Sequence, residues 1–386
     1  MKLFNTRLNL FIFGVLLFII ITIHNNSQWG ASLSWMLPGC VLMVIGHFSS
    51  KMRGTKSTPI ALIIYWLVIF FSTALSTVVP LEQNVFSFAI LLYLFYLVSS
   101  TFFEENQIKL ILSVYIISAF VCSVFVVKNW VVGDFFNAWT LRASYRFMGE
   151  YKDPNYVASY ICPAMFFLFV KTVTVSDKKK KLLSLFGLIF FVITILCIGS
   201  RGAMLTVAVA IAYYYLMTSS LSNAKKIMIF AFGFLIVMQI YQMYLSVMPQ
   251  QVFDRLNNSA DNSRLDLWAA GMMGFTKKPF IGSGLASSNV YAIALAGNHC
   301  HNVYIDALAA CGILGNTFLG YAFVKNCMHT SRRNRTFIHA SILAFFIPLV
   351  FINGFNSATF ITPLMMMAIL SNYCRIKDQS FQNLFS

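Results

Sequence analysis

Twelve long apolar runs dominate the sequence and restrict what it can fold into. They lie near residues 8–23, 31–47, 59–79, 85–102, 108–127, 156–175, 182–198, 203–218, 227–248, 303–324, 337–352 and 357–374. A helix needs roughly 20 mainly apolar residues to cross a bilayer. Only 10% of the residues are charged, far below the roughly 25% of soluble domains. We therefore expect an all-α integral membrane protein of about 12 transmembrane helices, forming one polytopic domain over residues 1–386.

The basic residues indicate how these spans are oriented. With both termini placed in the cytoplasm, 19 of the 28 Lys and Arg residues but only four of the 12 acidic residues fall on the cytoplasmic side. This is the bias of the positive-inside rule. It accounts for nearly all of the net charge of +16, so no nucleic-acid partner is expected. The first run has no small-residue cleavage site, and we interpret it as a retained span.

This topology leaves two large segments outside the membrane. They are the loops 128–155 and 249–302, whereas every predicted inner connection is short. In the longer loop, Leu265, Trp268, Met272 and Phe275 recur at helical spacing. The spacing predicts one apolar stripe of a short helix that lies along the membrane surface or against the bundle.

Three short motifs fall at the outer N-termini of spans six, eight and ten. They are Asp153-Pro154-Asn155, Gly199-Ser200-Arg201-Gly202, and His301-Asn302-Val303-Tyr304, which leads into Gly312-Ile313-Leu314-Gly315. Helix N-termini present free backbone N–H groups and the positive end of the helix dipole. Together they could hold an anion at the outer membrane surface.

Each motif also has a purely structural interpretation. Asp153-Pro154 is a good helix start, which leaves Asn155 as a ligand contact. Arg201 could anchor to lipid headgroups, but a short outer hairpin needs no arginine, and a guanidinium group binds phosphate through two parallel hydrogen bonds. His301 could be an ordinary interfacial histidine. At a partly dehydrated helix N-terminus, however, its imidazole would stay neutral and could act as a base. Gly312 and Gly315 favour close helix packing.

Further arginines lie in the two outer loops. Arg264 introduces the amphipathic stretch and is a candidate second phosphate ligand, and Arg142 and Arg146 are weaker candidates of the same kind. The sequence contains no Walker-type phosphate loop, no CxxC pair and no HExxH zinc motif. No metal ion or cofactor is therefore expected, and the chemistry on a phosphate-bearing substrate would fall to arginine.

The order of these motifs resembles the O-antigen polymerase and O-antigen ligase superfamily of bacterial envelope glycosyltransferases. The resemblance rests on Ser200–Ala203, Ser263–Trp268, Lys278–Gly284, His301–Ile305 and Gly312–Gly315. It implies a helical fold of the GT-C type, with a large periplasmic loop before the tenth span, in the bacterial inner membrane. It also implies a metal-independent, inverting transfer of glycan from an undecaprenyl diphosphate-linked oligosaccharide.

The resemblance further implies roles for single residues. Arg201 and Arg264 would hold the donor diphosphate, and His301 would activate the acceptor hydroxyl. Arg142, Arg146, Asn155, Asn302 and Tyr304 are the candidate substrate-binding residues. Membrane lipids are expected partners, and a chain-length regulator is a further candidate partner.

Three functions remain open at this point. A polymerase would pass the glycan to the end of another lipid-linked repeat, and the Asp153-Pro154-Asn155 segment favours this interpretation. A ligase would pass it to lipid A-core. A secondary transporter of twelve spans is the third, although the two halves show no similarity to each other and the polar bulk lies outside.

Overall fold

The computed structural model describes residues 6–25, 32–48, 57–138, 141–147, 150–219, 221–222, 224–226, 228, 239, 262–375 and 380–385. Eleven of the twelve predicted spans coincide with helices in this part of the chain. The ninth predicted span, 227–248, lies almost wholly outside the described residues.

Helices make up nearly all of the described structure. The α-helices in chain order are α1 Thr6–His24, α2 Ser32–Phe48, α3 Ser57–Ala74, α4 Gln83–Ser99, α5 Glu105–Val131, α6 Pro154–Thr174, α7 Lys178–Ile198, α8 Arg201–Thr218, α9 Asn262–Lys277, α10 Ser287–Ala296, α11 Val303–Phe323, α12 Arg335–Phe346 and α13 Ala358–Cys374. A π-helical turn, Val324–Met328, extends α11, and a 3-10 turn, Ile347–Phe351, extends α12. Two small antiparallel hairpins follow α5, and they pair β1 Phe135–Asn137 with β2 Arg142–Ala143 and β3 Arg146–Phe147 with β4 Glu150–Tyr151.

The distribution of apolar side chains is that of a multi-pass membrane protein. Within the described residues, five helical segments are long and apolar enough to cross a membrane: Glu105–Val131, Pro154–Thr174, Lys178–Ile198, Val303–Met328 and Arg332–Phe351. The helices α6 and α13 are buried along almost their whole length and form the core. The surrounding helices turn large apolar side chains outward, such as Leu182 and Leu183 of α7. The number of spans and their sidedness stay predictions.

The loops at the end of the bundle that carries His301 contact one another. Ser76, just after α3, donates to the carbonyl of Ser283. Lys152, just before α6, donates from Nζ to the carbonyls of Thr22, Ile23 and Asn25 at 2.8, 2.9 and 3.0 Å. A lysine ammonium is a favourable cap for the last carbonyls of a helix. The contact therefore joins the first large loop to the end of α1.

Helix α3 ends at Ala74, whereas the sequence predicted a span to residue 79. The reason is the Ser76 side chain. Its oxygen accepts from the backbone N–H groups of Val78 and Val79, and its hydroxyl is held by Ser283. These bonds favour a turn over a further helical turn.

Helix α11 is broken at Gly312, which the sequence predicted as half of a packing pair. Gly312 has φ 60° and ψ −162°, a conformation open essentially to glycine alone. The N–H groups of Ile313 and Leu314 donate instead to the carbonyls of Pro279 and Phe280. The motifs Lys278–Gly284 and Gly312–Gly315 are thus each other's partners, and only Gly315 packs as predicted, against Cys311 and Val68 of α3.

The predicted short helix in the second loop is confirmed as α9, and its predicted apolar stripe does not coincide with the fully buried face. Leu265, the first residue of the apolar stripe, is 63% exposed. The face turned inward carries mainly small side chains, and its buried residues are Leu267, Ala270, Gly271 and Gly274. A Cβ on Gly271 would lie 2.6 Å from Cys300 Sγ. The close approach of α9 to α11 selects small residues over the larger apolar ones.

Candidate functional site

The three predicted motifs are brought together by a segment that follows α12. We call it the 351–354 segment (Phe351, Ile352, Asn353 and Gly354). Phe351 packs on the first turn of α8, because a Cβ on Gly202 would lie 2.4 Å from its ring. One segment of four residues therefore touches α8 at its first residue, and its other residues reach α6 and α11.

The contacts to α6 and α11 are made by backbone atoms of the segment. Tyr156 Oη donates to the Asn353 carbonyl at 2.8 Å and lies 3.2 Å from the Asn353 nitrogen, which donates to it. The Gly354 nitrogen donates to Asp306 Oδ2 at 3.1 Å. Tyr156 lies in the first turn of α6 and Asp306 in the first turn of α11. The N-termini of all three helices thus surround the 351–354 segment.

The first motif caps α6, as predicted. Asp153 Oδ1 accepts from the backbone N–H of Asn155 at 2.7 Å, and Pro154 occupies the first helical position. Asn155 Oδ1 accepts from Arg142 Nη2 at 3.0 Å and from Ser200 Oγ at 3.4 Å. The Asn155 oxygen is therefore used to link the starts of α6 and α8.

Arg142 reinforces the same link. Its Nε donates to the carbonyl of Ile198, the last residue of α7, at 3.1 Å, while Nη2 is bound to Asn155. A guanidinium group at a helix C-terminus satisfies an orphan carbonyl and interacts favourably with the helix dipole. Arg142 holds the hairpin that leads to Arg201.

The second motif forms a tight hairpin from α7 to α8. Gly199 ends α7 in the left-handed region with φ 63°, and Ser200 Oγ accepts from the Ala203 nitrogen to cap α8. Arg201 is the first residue of α8, and its side chain is exposed. Arg264 comes from α9, and its guanidinium carbon lies 5.5 Å from the centroid of the Phe351 ring. Phe351 thus contacts both Arg264 and the residue that follows Arg201.

His301 lies two residues before α11, within electrostatic reach of Arg264, Arg142 and Asp153. Its backbone has φ 50°, which is uncommon for a residue other than glycine. Burial lowers the pKa of His301 below its ordinary 6.5, the nearby Asp153 carboxylate opposes the shift, and the charges of Arg264, His299 and Arg142 add to it. The imidazole is therefore neutral at pH 7. Besides burial, its pKa is influenced by four charged or titratable neighbours in the same region.

The remaining predicted residues have structural partners. Asn302 Oδ1 caps α11 by accepting from the Tyr304 and Ile305 nitrogens at 3.0 and 3.2 Å. Tyr304 Oη donates to the Phe346 carbonyl at 2.7 Å. Arg146 forms an ion pair with Asp134 at 3.4 Å and lies over the Tyr151 ring, so these contacts hold it within the first loop.

The sequence prediction missed Phe351, Asn353 and Asp306. Asp306 is buried, and its Oδ1 accepts from Ser288 Oγ of α10 at 2.5 Å. An acidic residue inside an apolar run is a signal for a buried functional or structural contact, so Asp306 could have been found. Nothing local distinguishes Phe351 or Asn353 from other residues at the end of a span. Within the described residues, no group of three His, Cys, Asp or Glu side chains could hold a metal ion.

Residues 186–320 match the family model described as O-antigen ligase. No curated protein matches the chain. The matched region contains Arg201, Arg264 and His301, and it supports a function of the polymerase or ligase class with a lipid-linked oligosaccharide as substrate. The match confirms, over residues 186–320, the resemblance that was predicted from the sequence.

Proposed function

We propose that this protein is an O-antigen polymerase. It would transfer glycan from an undecaprenyl diphosphate donor to the end of another lipid-linked repeat, at the periplasmic face of the bacterial inner membrane. The observation that carries the proposal is the convergence of three helix N-termini and Arg264 around the 351–354 segment, with His301 close enough to Arg264 and Asp153 to be influenced by their charges. A cationic surface with a neutral base is what a displacement of diphosphate requires.

The arginines would act on the leaving group. As the bond from the anomeric carbon to the diphosphate oxygen breaks, negative charge grows on that oxygen. Arg201 and Arg264 would hold the diphosphate through paired hydrogen bonds, and fixed positive groups of this kind stabilise the transition state more than the ground state. The N-terminus of α8, capped by Ser200, adds backbone N–H groups directed at the same region.

His301 would act on the acceptor. Its neutral imidazole takes the proton of the acceptor hydroxyl while the acceptor oxygen bonds to the anomeric carbon from the face opposite the diphosphate. This single displacement inverts the anomeric configuration. The charge that develops on the imidazole is balanced in part by the Asp153 carboxylate, which favours the protonated ring. The guanidinium groups supply the positive charge, so the mechanism requires no metal ion.

Transfer to lipid A-core is the second candidate function. It is favoured by one specific observation, which is that the matching family is described as O-antigen ligase. Both reactions use the same donor and the same displacement. They differ only in the acceptor that reaches His301.

A reconstituted reaction tests the proposal. Purified protein is incubated with an undecaprenyl diphosphate-linked oligosaccharide repeat, first alone and then with lipid A-core. We expect longer lipid-linked chains with the repeat alone. Products that appear only after lipid A-core is added would establish the ligase reaction instead. The absence of product under both conditions, with accumulation of a solute in vesicles, would revive the transporter.

A further inference from the structure

Asn353 occupies the middle of the site but takes no part in the proposed chemistry. Its backbone nitrogen and carbonyl are both bonded to Tyr156 Oη of α6. The next residue, Gly354, has φ 85° and is held by Asp306 of α11. Two residues earlier, Phe351 contacts Arg264 and the first turn of α8. The backbone at Asn353 is therefore held by α6 and α11, and the same segment contacts α8 and α9 through Phe351.

The side chain of Asn353 carries an unpaired acceptor. Asn353 is 3% exposed, and its Oδ1 has no hydrogen-bond partner among the residues that the structure describes. The other two asparagines of the site differ, since the Oδ1 atoms of Asn155 and Asn302 each accept two hydrogen bonds. Leaving a buried polar group unpaired is costly, and native proteins contain few such groups.

The chemistry of this oxygen selects the kind of ligand. A carboxamide oxygen accepts hydrogen bonds and cannot donate them. The oxygens of an ionised diphosphate are also acceptors, so the diphosphate cannot satisfy Asn353. A sugar hydroxyl can donate to it.

We propose that Asn353 is a sugar-binding residue, whose Oδ1 accepts a hydrogen bond from a hydroxyl of the glycan bound beside His301. This inference rests on the proposed function and adds a determinant of sugar specificity to it. A site with a buried polar group rejects a ligand that lacks the matching hydroxyl far more strongly than an apolar pocket rejects an extra group. Asn353 would thus discriminate among repeats by the presence of one hydroxyl.

The test separates sugar binding from stability. Asn353→Leu replaces the amide with a branched apolar group of similar shape, and Asn353→Ala removes the oxygen without adding volume. The probe is the free oligosaccharide repeat released from its lipid, and its Kd is measured on the detergent-solubilised full chain. We expect both variants to bind it about three- to tenfold more weakly, as for one lost hydrogen bond. The Tm of Asn353→Leu should not fall, because the lost oxygen has no hydrogen-bond partner among the described residues.

Asn334 provides the matched control. It is also a buried asparagine, at the opposite end of α12, and its amide donates to Ser331 Oγ and the Cys374 carbonyl while its Oδ1 accepts from Phe381. Asn334→Leu should show the reverse pattern, with a lower Tm and an unchanged Kd for the repeat.

The outcomes distinguish this inference from the proposed function. Wild-type affinity in both Asn353 variants would overturn the role of Asn353, as would a wild-type protein that does not bind the repeat. A lower Tm for Asn353→Leu with an unchanged Kd, or failure of both variants to fold, would make the residue structural and overturn the role as well. If the wild type binds the repeat without lengthening lipid-linked chains, the polymerase proposal fails, and the ratio of Kd values still decides the role of Asn353.

Discussion

At the scale of single residues, His301 combines an unusual backbone with a buried imidazole. Its φ of 50° lies in a region that asparagine tolerates better than most residues. His301→Asn therefore removes the base while keeping the local backbone. We expect glycan transfer to fall by about 10²–10⁴-fold, the usual contribution of a general base. The measurement is kcat with the lipid-linked repeat, with Tm as the check on folding, and full activity would rule out His301 as the base.

The pH dependence of transfer provides a second test at this scale. Burial lowers the pKa of His301, so transfer should stay constant from neutral pH down to below 6.5 and be lost only when the ring becomes protonated. The Asp153 carboxylate raises this pKa, so Asp153→Asn should move the acidic limb to still lower pH. Asparagine caps a helix as well as aspartate does, so α6 should remain intact.

Asp177→Asn is the control for the pH experiment. Asp177 caps α7 in the same way that Asp153 caps α6, by accepting from Lys179 and Lys180. It is not among the groups that influence His301. Its substitution should leave the pH profile unchanged. An equal displacement of the acidic limb in both variants would remove the special role of Asp153.

Arg201 is exposed, so its proposed role as a phosphate ligand depends on the shape of its guanidinium group and not on burial. Arg201→Lys keeps the charge but loses the planar fork that matches two phosphate oxygens. We expect kcat to fall about 100-fold, comparable to the removal of one donor to a developing oxyanion. Wild-type kcat in this variant would indicate that Arg201 only anchors to lipid headgroups.

At the scale of elements, the break in α11 is the feature on which the second loop depends. A Cβ on Gly312 would lie 2.4 Å from the Phe280 carbonyl oxygen, and the φ of 60° is strained for alanine. Gly312→Ala should therefore destabilise the protein by about 3 kcal/mol or more. A Cβ on Gly320, in the same helix, would meet no atom within 4 Å among the described residues beyond its chain neighbours and the nearby backbone of its own helix, and Gly320→Ala should be neutral or stabilising by up to about 1 kcal/mol. Thermal unfolding of both variants in detergent measures the difference, and equal Tm values would contradict the break.

Elements of this fold differ in how far the sequence could predict them. The spans were predictable because the hydropathy of each apolar run depends only on the residues within that run. The caps at Asp153, Ser200 and Asn302 were also local, and the structure places them as helix starts. The inner face of α9 was not predictable, because it is decided by how closely Gly271 approaches Cys300 across the loop.

At the scale of the whole molecule, the arrangement of the spans decides which loops meet. The sequence identified His301, Arg264 and Arg201 as candidates, but not the Phe351 ring that lies beside Arg264 and Gly202. That contact joins residues far apart in the chain, and no local pattern encodes it. The same holds for Asn353, whose position is evident only once α6 and α11 are packed.

The sidedness of the molecule is a prediction that labelling can test. All eight native cysteines are buried, so a membrane-impermeant maleimide should give little background. We expect Glu150→Cys, in the first large loop, to be labelled in spheroplasts. Lys179→Cys, at the start of α7, should be labelled only after lysis. Both side chains are exposed, so the reverse pattern would invert the topology.

The Lys152 contact at the end of α1 links the order of synthesis to the order of assembly. Residue 152 leaves the ribosome 127 residues after Asn25, whose carbonyl it finally binds. Until then α1 to α5 are already made, and the last carbonyls of α1 depend on water or on lipid headgroups. The first helix of the chain is thus completed only after α5 has been made. Because Asp153 and Asn155 follow Lys152 within three residues, the stretch of chain that completes α1 also begins α6 and carries the carboxylate that influences His301.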